Sequence, residues 1–465
     1  MSLSALASHA GEVIKISRTV PYGPLEPGWL EFLPAFIQAK FKGRKNLKKI
    51  TANMSWLVFD KVLRMGVGII VGVWVARYLG PEQFGAFNFA LAFVALFGAL
   101  SSLGLDGIVV KYLVQEPAKK HAVLESVFVL KLCGGIIAFC SSLAVIWIIR
   151  PADTQTHWLV GILAAGMIFQ AVDTIDLWYQ SALRSKYTVY AKNGAFIVLS
   201  IIKVLLILSK APLTAFAWAA LAEIVLGSLF LTMYYRRHNH GVIIGQANLK
   251  WMKQLLVESW PLAAASIAII VYMKIDQVML GYMLGNKDVG IYASAVRFSE
   301  VWYFIAISIS ASVYPIMIEY KKKDEVLFYA KYKKLASLMA VLSITIAVFT
   351  TLLSNQIIQL FYGSMYSGAG SILSIHIWSL IFVFIAYPIT IYIMVNGLQN
   401  LILITAIISA IANVLLNIYL IPKYGGRGAA IATVLAYAFG GYFSYFIFPQ
   451  TRNAAMILTR SIIFP

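Results

Sequence analysis

Twelve ionisable side chains stand deep inside apolar stretches of this sequence, and its chemistry has to be sought among them. The cations are Lys61, Arg64, Lys131, Lys203, Lys274 and Arg297; the anions are Asp60, Asp173, Asp176, Glu223, Asp276 and Glu300. Each costs several kcal/mol in hydrocarbon unless it faces a partner or a water-filled cavity. The signs balance, so internal ion pairs that align helices account for much of the set. Cations on both halves of the chain also offer what an anionic phosphate crossing a bilayer requires, neutralisation along its path.

The spacings suggest how these groups are arranged. Asp60 precedes Arg64 by four residues, the favourable order for a helical ion pair, and Gly68 and Gly72 continue the same face. That Gly-x-x-x-Gly spacing is also a helix-packing motif. Gln170, Asp173, Asp176, Gln180 and Arg184 fall on one stripe about 120° wide. Two carboxylates one turn apart repel each other when both are ionised, so the Asp173 and Asp176 pair is the candidate carrier of a coupling proton or sodium ion. A static pair neutralised by Lys131 or Arg184 is the alternative. Arg297 and Glu300 share a helix face, Lys274 and Asp276 sit mid-span, and Asn413 and Asn417 lie four residues apart. With Lys131, Lys203, Glu223 and Asp276, the two asparagines complete the candidate cavity lining.

Catalytic patterns are missing where an enzyme would show them. The sequence holds no Gly-x-x-x-x-Gly-Lys-Ser/Thr phosphate loop, nor a convincing nucleophile–base pair or two-carboxylate glycosidase arrangement. His238 and His240 lack the further ligands of a metal site. Cys133 and Cys140 are seven residues apart in one apolar run, about 10 Å along a helix, too far to bridge. The expectation is a protein without catalytic residues, cofactor or metal.

The elements that must position these groups follow from composition. Of 465 residues, 60% are hydrophobic and 12% charged, against about 25% charged in an ordinary soluble chain. The excess apolar surface has to face lipid. Apolar runs give twelve spans, near 53–79, 83–113, 122–149, 157–183, 189–209, 213–235, 259–284, 289–317, 334–354, 370–396, 400–420 and 428–449. The net charge of +19 is topological rather than a signal for nucleic acid, because lysine and arginine alternate by loop. One side carries Lys40 to Lys49, Lys119 and Lys120, Arg184 and Lys186, Arg236 and Arg237, Lys321 to Lys323, Lys331 to Lys334 and Arg452; the other holds only Arg150, Lys210, Lys287, Lys423 and Arg427. By the positive-inside rule both termini are expected in the cytoplasm, with weak attraction of the basic face to anionic membrane lipids.

Residues 76–90 overlay 281–295 without a gap, at an offset of 205: Leu79 on Leu284, Gly80 on Gly285, Gly85 on Gly290, Ala90 on Ala295. A weaker match lays Leu208–Ala222 over Pro422–Ala436. Matched glycines at two tight turns suggest the same turn made twice, hence two six-helix halves, and internal duplication is characteristic of transporters. The expected organisation is a partly disordered cytosolic extension over 1–52, a first lobe over 53–238, a cytoplasmic linker over 239–258, a second lobe over 259–449 and a cytoplasmic tail over 450–465. The extension, with a short interfacial helix expected near Trp29–Ala39, is equally what a misplaced start codon would produce.

At residues 56–90, WLVFDKVLRMGVGIIVGVWVARYLGPEQFGAFNFA, the chain resembles the opening of Wzx-type O-antigen or capsule repeat-unit flippases of the multidrug/oligosaccharidyl-lipid/polysaccharide exporter superfamily. Leu103–Asp106, Leu177–Gln180 with Arg184–Tyr187, and Asn417–Pro422 followed by Tyr424 and Gly425 add to the likeness. The resemblance implies an all-α polytopic membrane protein with two pseudo-symmetric six-helix lobes around a central cavity, in a bacterial inner membrane. It implies transfer of an undecaprenyl-pyrophosphate-linked oligosaccharide between leaflets, beside a polysaccharide polymerase and a chain-length regulator of the same pathway. On that reading Lys61 and Arg64 contact the pyrophosphate from one lobe and Lys274 and Arg297 from the other, with Asp60 and Glu300 orienting them. The rivals are a drug or lipid II exporter of the same superfamily, a membrane polymerase or ligase, and a non-transporting scaffold.

Overall fold

The computed structural model describes residues 45–239 and 247–463, and every regular element in them is helical. The expected extension and its Trp29–Ala39 helix therefore lie outside the described residues up to position 44; from Lys45 onward the chain is already in the first helix. In chain order the helices are α1 (Lys45–Ser102), α2 (Asp106–Gln115), α3 (Lys120–Ile149), α4 (Thr154–Phe169), α5 (Thr174–Ser181), α6 (Lys186–Leu208) and α7 (Leu213–Asn239). They continue with α8 (Leu249–Met283), α9 (Asn286–Glu300), α10 (Tyr303–Lys323), α11 (Glu325–Tyr362), α12 (Ala369–His376), α13 (Ser379–Val395), α14 (Asn400–Ala438), α15 (Ser444–Ile447) and α16 (Pro449–Ile463).

Ten stretches of the described residues are long and apolar enough to span a bilayer. Two of them cross twice. A straight α1 of 58 residues would run to roughly 87 Å against about 30 Å of hydrocarbon, and it turns at Gly80, whose φ of 70° only glycine adopts freely. The long stretch containing α14 turns likewise at Gly425. The twelve spans expected from composition are thus present. Residues 249–258, expected within a linker, form the start of α8, and residues 450–463, expected as a tail, form α16 against α11.

The duplication is visible in the backbone. Gly80 and Gly285, aligned at the offset of 205, both have positive φ. Leu183 and Gly397, which correspond at the offset of the weaker match, are left-handed as well. The matched turns also touch. A methyl group added to Gly85 would overlap the carbonyl of Asn286, and one added to Gly290 would overlap the carbonyl of Pro81. Pro81 and Asn286 are themselves equivalent at the same offset, so the contact is reciprocal, as a two-fold axis demands.

The hydrophobic core divides along the bundle. At the end carrying Gly80, one continuous core takes residues from both lobes, among them Phe89 and Phe93 from the first and Tyr292 and Tyr362 from the second. Towards the opposite end there are two cores: one around Leu105, Tyr179 and Leu231, which also takes Leu255 from the start of α8, the other around Tyr314, Phe328 and Tyr392. The lobes share one core at the Gly80 end; at the opposite end their cores are distinct, and the start of α8 packs on the first lobe, with Leu262 and Ala263 against Gly104 and Glu258 accepting a hydrogen bond from Tyr112. Replacing Gly290 by Ala should pry the Gly80 end apart. A cysteine placed at the buried Val289 should then react with a membrane-impermeant maleimide at least several-fold faster than in the Gly290 background.

Candidate functional site

In the first lobe Arg64 is shared between two carboxylates, at 3.0 Å from Asp60 and 3.6 Å from Glu223, and Lys203 meets Glu223 at 2.9 Å. The guanidinium also lies 5.1 Å from the centre of the Phe196 ring. The helical spacing of Asp60 and Arg64 makes the first contact; α6 and α7 bring the others. Lys61, on another face of α1, is exposed and has no ion pair among the described residues.

A second cluster fills a chamber of about 260 Å³ inside the same lobe, between α1, α2, α3, α5 and α6. Lys131 reaches Asp106 at 2.7 Å, and Lys192 reaches Asp173 at 2.8 Å and Asp176 at 3.5 Å. Ser101 donates to Gln170. The neutralising cation of the carboxylate stripe is therefore Lys192, with Lys131 engaged elsewhere. Lys192 stands near the start of its span, where sequence reading takes a lysine for an interfacial anchor. A stripe with two acids and no cation within a turn was the signal that could have found it.

In the second lobe Lys274 pairs with Glu300 at 3.6 Å, although spacing along α9 had matched Glu300 with Arg297. Asp276, two residues from Lys274 and so on the opposite face of α8, is 2% exposed. It accepts hydrogen bonds from Tyr292 at 2.8 Å, Asn417 at 2.6 Å and Thr433. Asn413 lies at 3.1 Å from Asn417. The structure thus unites Asp276, Asn413 and Asn417 and adds Tyr292 and Thr433, which had carried no charge to single them out. His376, also unmarked in the sequence, shares a hydrogen bond of 2.7 Å with Ser299.

Arg297 is different. It is exposed, has no ion pair among the described residues, and its guanidinium lies against Gly72 of α1, where any side chain would overlap it. Gly72 and Arg64 share a face two turns apart, about 12 Å along the helix. The pair of glycines read as a packing motif therefore serves at Gly72 as a seat for a cation from the other lobe.

At the Gly80 end Arg150 ties the lobes together. It donates to Asp153 at 3.1 Å, to Asn286 at 2.9 Å and to the carbonyl of Gly281, and stacks on Phe89 at 3.8 Å. Tyr366 adds a bond of 2.7 Å to the carbonyl of Ala76. Burial lowers the pKa of Arg150, while its hydrogen bond and attraction to Asp153 act the other way. At Asp153 burial pushes upward, but hydrogen bonds from Thr156 and Arg150 outweigh it and hold the carboxyl below the usual range. Its stabilising contribution is present above the unfolded value near 3.8 and is lost as pH falls through the lower folded value.

The model of the polysaccharide biosynthesis protein family matches residues 50–321, more than half of the chain. The chain belongs to that family. The MatE family model matches residues 261–419, across much of the second lobe. Among relatives, capsular polysaccharide biosynthesis protein CapF of Staphylococcus aureus is 20% identical over 85% of this chain and 98% of its own length. A protein named as a probable low-salt glycan biosynthesis flippase, Agl15 of Haloferax volcanii, is 23% identical over 82% of this chain and 80% of its own. The fold is that of an inward-facing multidrug resistance MATE family transporter, with a TM-score of 0.67 over 85% of this chain and 95% of that one at 17% identity. Lipid II flippase MurJ in an inward closed conformation gives 0.67 over 88% and 90%, also at 17% identity. An outward-facing MATE structure gives 0.58 over 90% and 97% at 16% identity.

Within this polysaccharide biosynthesis protein the Arg150 clasp should be worth about 1–3 kcal/mol, since its loss strands the carbonyl of the buried Gly281 and the half-buried side chain of Asn286. Arg150→Ala should lower the thermal unfolding midpoint of the detergent-purified protein by several degrees. Between pH 5 and 8 the Arg150-dependent difference should not change, because Asp153 stays ionised throughout.

Proposed function

We propose that this chain is a flippase that carries a lipid-linked saccharide between membrane leaflets by alternating access. Its substrate would be an undecaprenyl-pyrophosphate-linked oligosaccharide repeat unit of the O-antigen or capsule type. The observation that carries the reading is Arg297, a cation at the boundary of the two lobes with no carboxylate partner among the described residues, while Arg64, Lys131, Lys192, Lys203 and Lys274 each have an acid within their own lobe. A pyrophosphate entering between the lobes supplies the missing counter-charge. Arg64, divided between Asp60 and Glu223, and Lys61, exposed and without an ion pair among the described residues, would add basic groups from α1, and Lys274 would add one from α8. The saccharide has to travel through water, because hydroxyl groups taken into hydrocarbon without partners are costly, while the lipid tail remains between the lobes at the membrane.

The distribution of lysine and arginine supports placing the Gly80 end outward and both termini in the cytoplasm of a bacterial inner membrane. On that orientation the shared core closes the outer side and the two distinct cores lie inward, in keeping with the better overlay on inward structures. The relatives named for polysaccharide and glycan biosynthesis favour a saccharide cargo over a drug. Coupling is assigned to Asp276. A carboxylate buried at membrane depth with hydrogen bonds but no basic partner needs a proton or a small cation when it is to stay there; Asp173 and Asp176 already have Lys192.

In a host that depends on the protein for surface polysaccharide, Arg297→Ala should reduce that polysaccharide at least tenfold at unchanged membrane level, and Arg64→Ala should reduce it to a smaller extent. Normal polysaccharide in both variants would refute the charged path. Asp276→Asn should leave the protein folded and substrate-binding but make transport indifferent to an imposed proton or sodium gradient; a gradient response equal to that of the parent would remove Asp276 from the coupling role.

A further inference from the structure

The chamber inside the first lobe holds more polar chemistry than the fold requires. It lies where two membrane helices break at the same depth: α1 gives way to α2 across Leu103 and Gly104, and α4 to α5 across the 3-10 turn Gln170–Asp173. Non-helical backbone at membrane depth persists only where protein or a water-filled cavity receives it. The duplication provides an internal comparison. In the second lobe α9 gives way to α10 across Val301 and Trp302, and α12 to α13 across Ile377 and Trp378. There Ser299 bonds His376 at 2.7 Å and Tyr303 bonds Ser379 at 3.3 Å, and the one acid, Glu300, turns to Lys274. Paired helix breaks in this architecture therefore do not call for the five charged groups gathered in the first lobe.

Those five are Asp106, Asp173, Asp176, Lys131 and Lys192, around a cavity of about 260 Å³. Two of its lining residues carry acceptors with no hydrogen-bond partner among the described residues, Oδ1 of Asp176 and Oε1 of Gln180; both atoms are covered in this structure and reach an occupant when their side chains turn into the chamber. Each such atom costs about 1–3 kcal/mol, which an occupant that donates hydrogen bonds removes. Size narrows the occupant. The cavity is several times the ~30 Å³ share of a water molecule and much too large for one dehydrated cation. It is also just under the ~300 Å³ at which small-molecule clefts begin, the scale of a single six-membered ring. Charge narrows it further: three carboxylates against two ammonium groups leave a net negative wall that disfavours a phosphate or a uronate. Ser102, Gln170 and Gln180 add neutral hydroxyl and amide groups to the lining, the kind of donors and acceptors a polyhydroxylated ring uses.

We propose that this chamber is a sugar subsite that receives one neutral or N-acetylated pyranose unit. The inference rests on the saccharide-carrier reading and adds to it a second place, apart from Arg297, where the cargo is held. Lys192 is within electrostatic reach of Arg64, so the chamber adjoins the basic face of α1, and a sugar seated in it stays near a phosphate on that face.

The test uses the full-length protein in nanodiscs and saturation-transfer NMR with glucose, galactose, N-acetylglucosamine and glucuronate as probes. At least one neutral or N-acetylated sugar should give saturable transfer, and glucuronate should give none. Gln180→Leu and the nearly isosteric Asp176→Asn should each weaken the signal at least tenfold, and Lys423→Ala, an exposed position beside the Gly425 turn at the Gly80 end, should leave it unchanged. Absence of transfer from every neutral sugar, or transfer indifferent to both chamber substitutions, overturns the proposal. The carrier reading fails separately. If surface polysaccharide still depends on Arg297 but no sugar binds, only the subsite is lost; if a sugar binds through Gln180 and Asp176 while export ignores Arg297 and Arg64, the subsite stands and the phosphate path does not.

Discussion

An ionised side chain at membrane depth must find a counter-charge or water, and the arrangement of this molecule follows from how each lobe meets that requirement. The first lobe satisfies its charges in two clusters, Asp60–Arg64–Glu223–Lys203 and the chamber of Lys131 and Lys192 with their carboxylates. The second lobe pairs Lys274 with Glu300. Because these pairings close within lobes, the two halves can separate without stranding a charge. Besides Lys61, which is exposed, the exceptions among the interior charges named above are Arg297, seated on Gly72 of the opposite lobe, and Asp276, held by neutral donors. Those two groups are where an anionic cargo and a coupling cation find the least competition.

Duplication explains why the lobes meet where they do. The repeated turn brings Gly85 against Asn286 and Gly290 against Pro81, backbone on backbone, so the join is made by geometry that both halves inherit rather than by a patch that each had to acquire. Its reinforcement is not symmetric. Arg150 comes from the first lobe alone, and its donors end on Asn286 and Gly281 of the second. A closure built from the Arg150 clasp, the Tyr366 hydrogen bond to Ala76 and close glycine contacts buries few charges and can be undone without a large desolvation cost, which suits a joint that must part in each cycle.

The fold was legible in the sequence because the bilayer reduces span recognition to composition, and because two aligned glycine turns betrayed the repeat. For the interior charges, residue type and depth were legible in the sequence and pairing was not. Residue type and depth singled out Arg64, Lys131, Lys274, Asp276, Arg297 and Glu300, yet local spacing assigned the wrong partners to several. Glu300 lies one turn from Arg297 but bonds Lys274 from the neighbouring helix, and Lys131 serves Asp106, which sits just beyond a helix break. Helix periodicity reports which residues share a face, not what that face meets. Lys192, His376, Tyr292 and Thr433 were passed over because one stands near a span end and the others have neutral or weakly basic side chains that apolar helices often tolerate.

The claim at the centre of the account is that an unpaired cation between the lobes holds the phosphate of a lipid-linked saccharide in transit. It is tested most directly with purified protein in vesicles loaded with a fluorescent undecaprenyl-pyrophosphate saccharide, by following exposure of the sugar to a membrane-impermeant oxidant. The account predicts protein-dependent transfer between leaflets that falls to the protein-free rate in Arg297→Ala and recovers in Arg297→Lys. Transfer at the parental rate in Arg297→Ala, or none above protein-free vesicles in the parent, would contradict it.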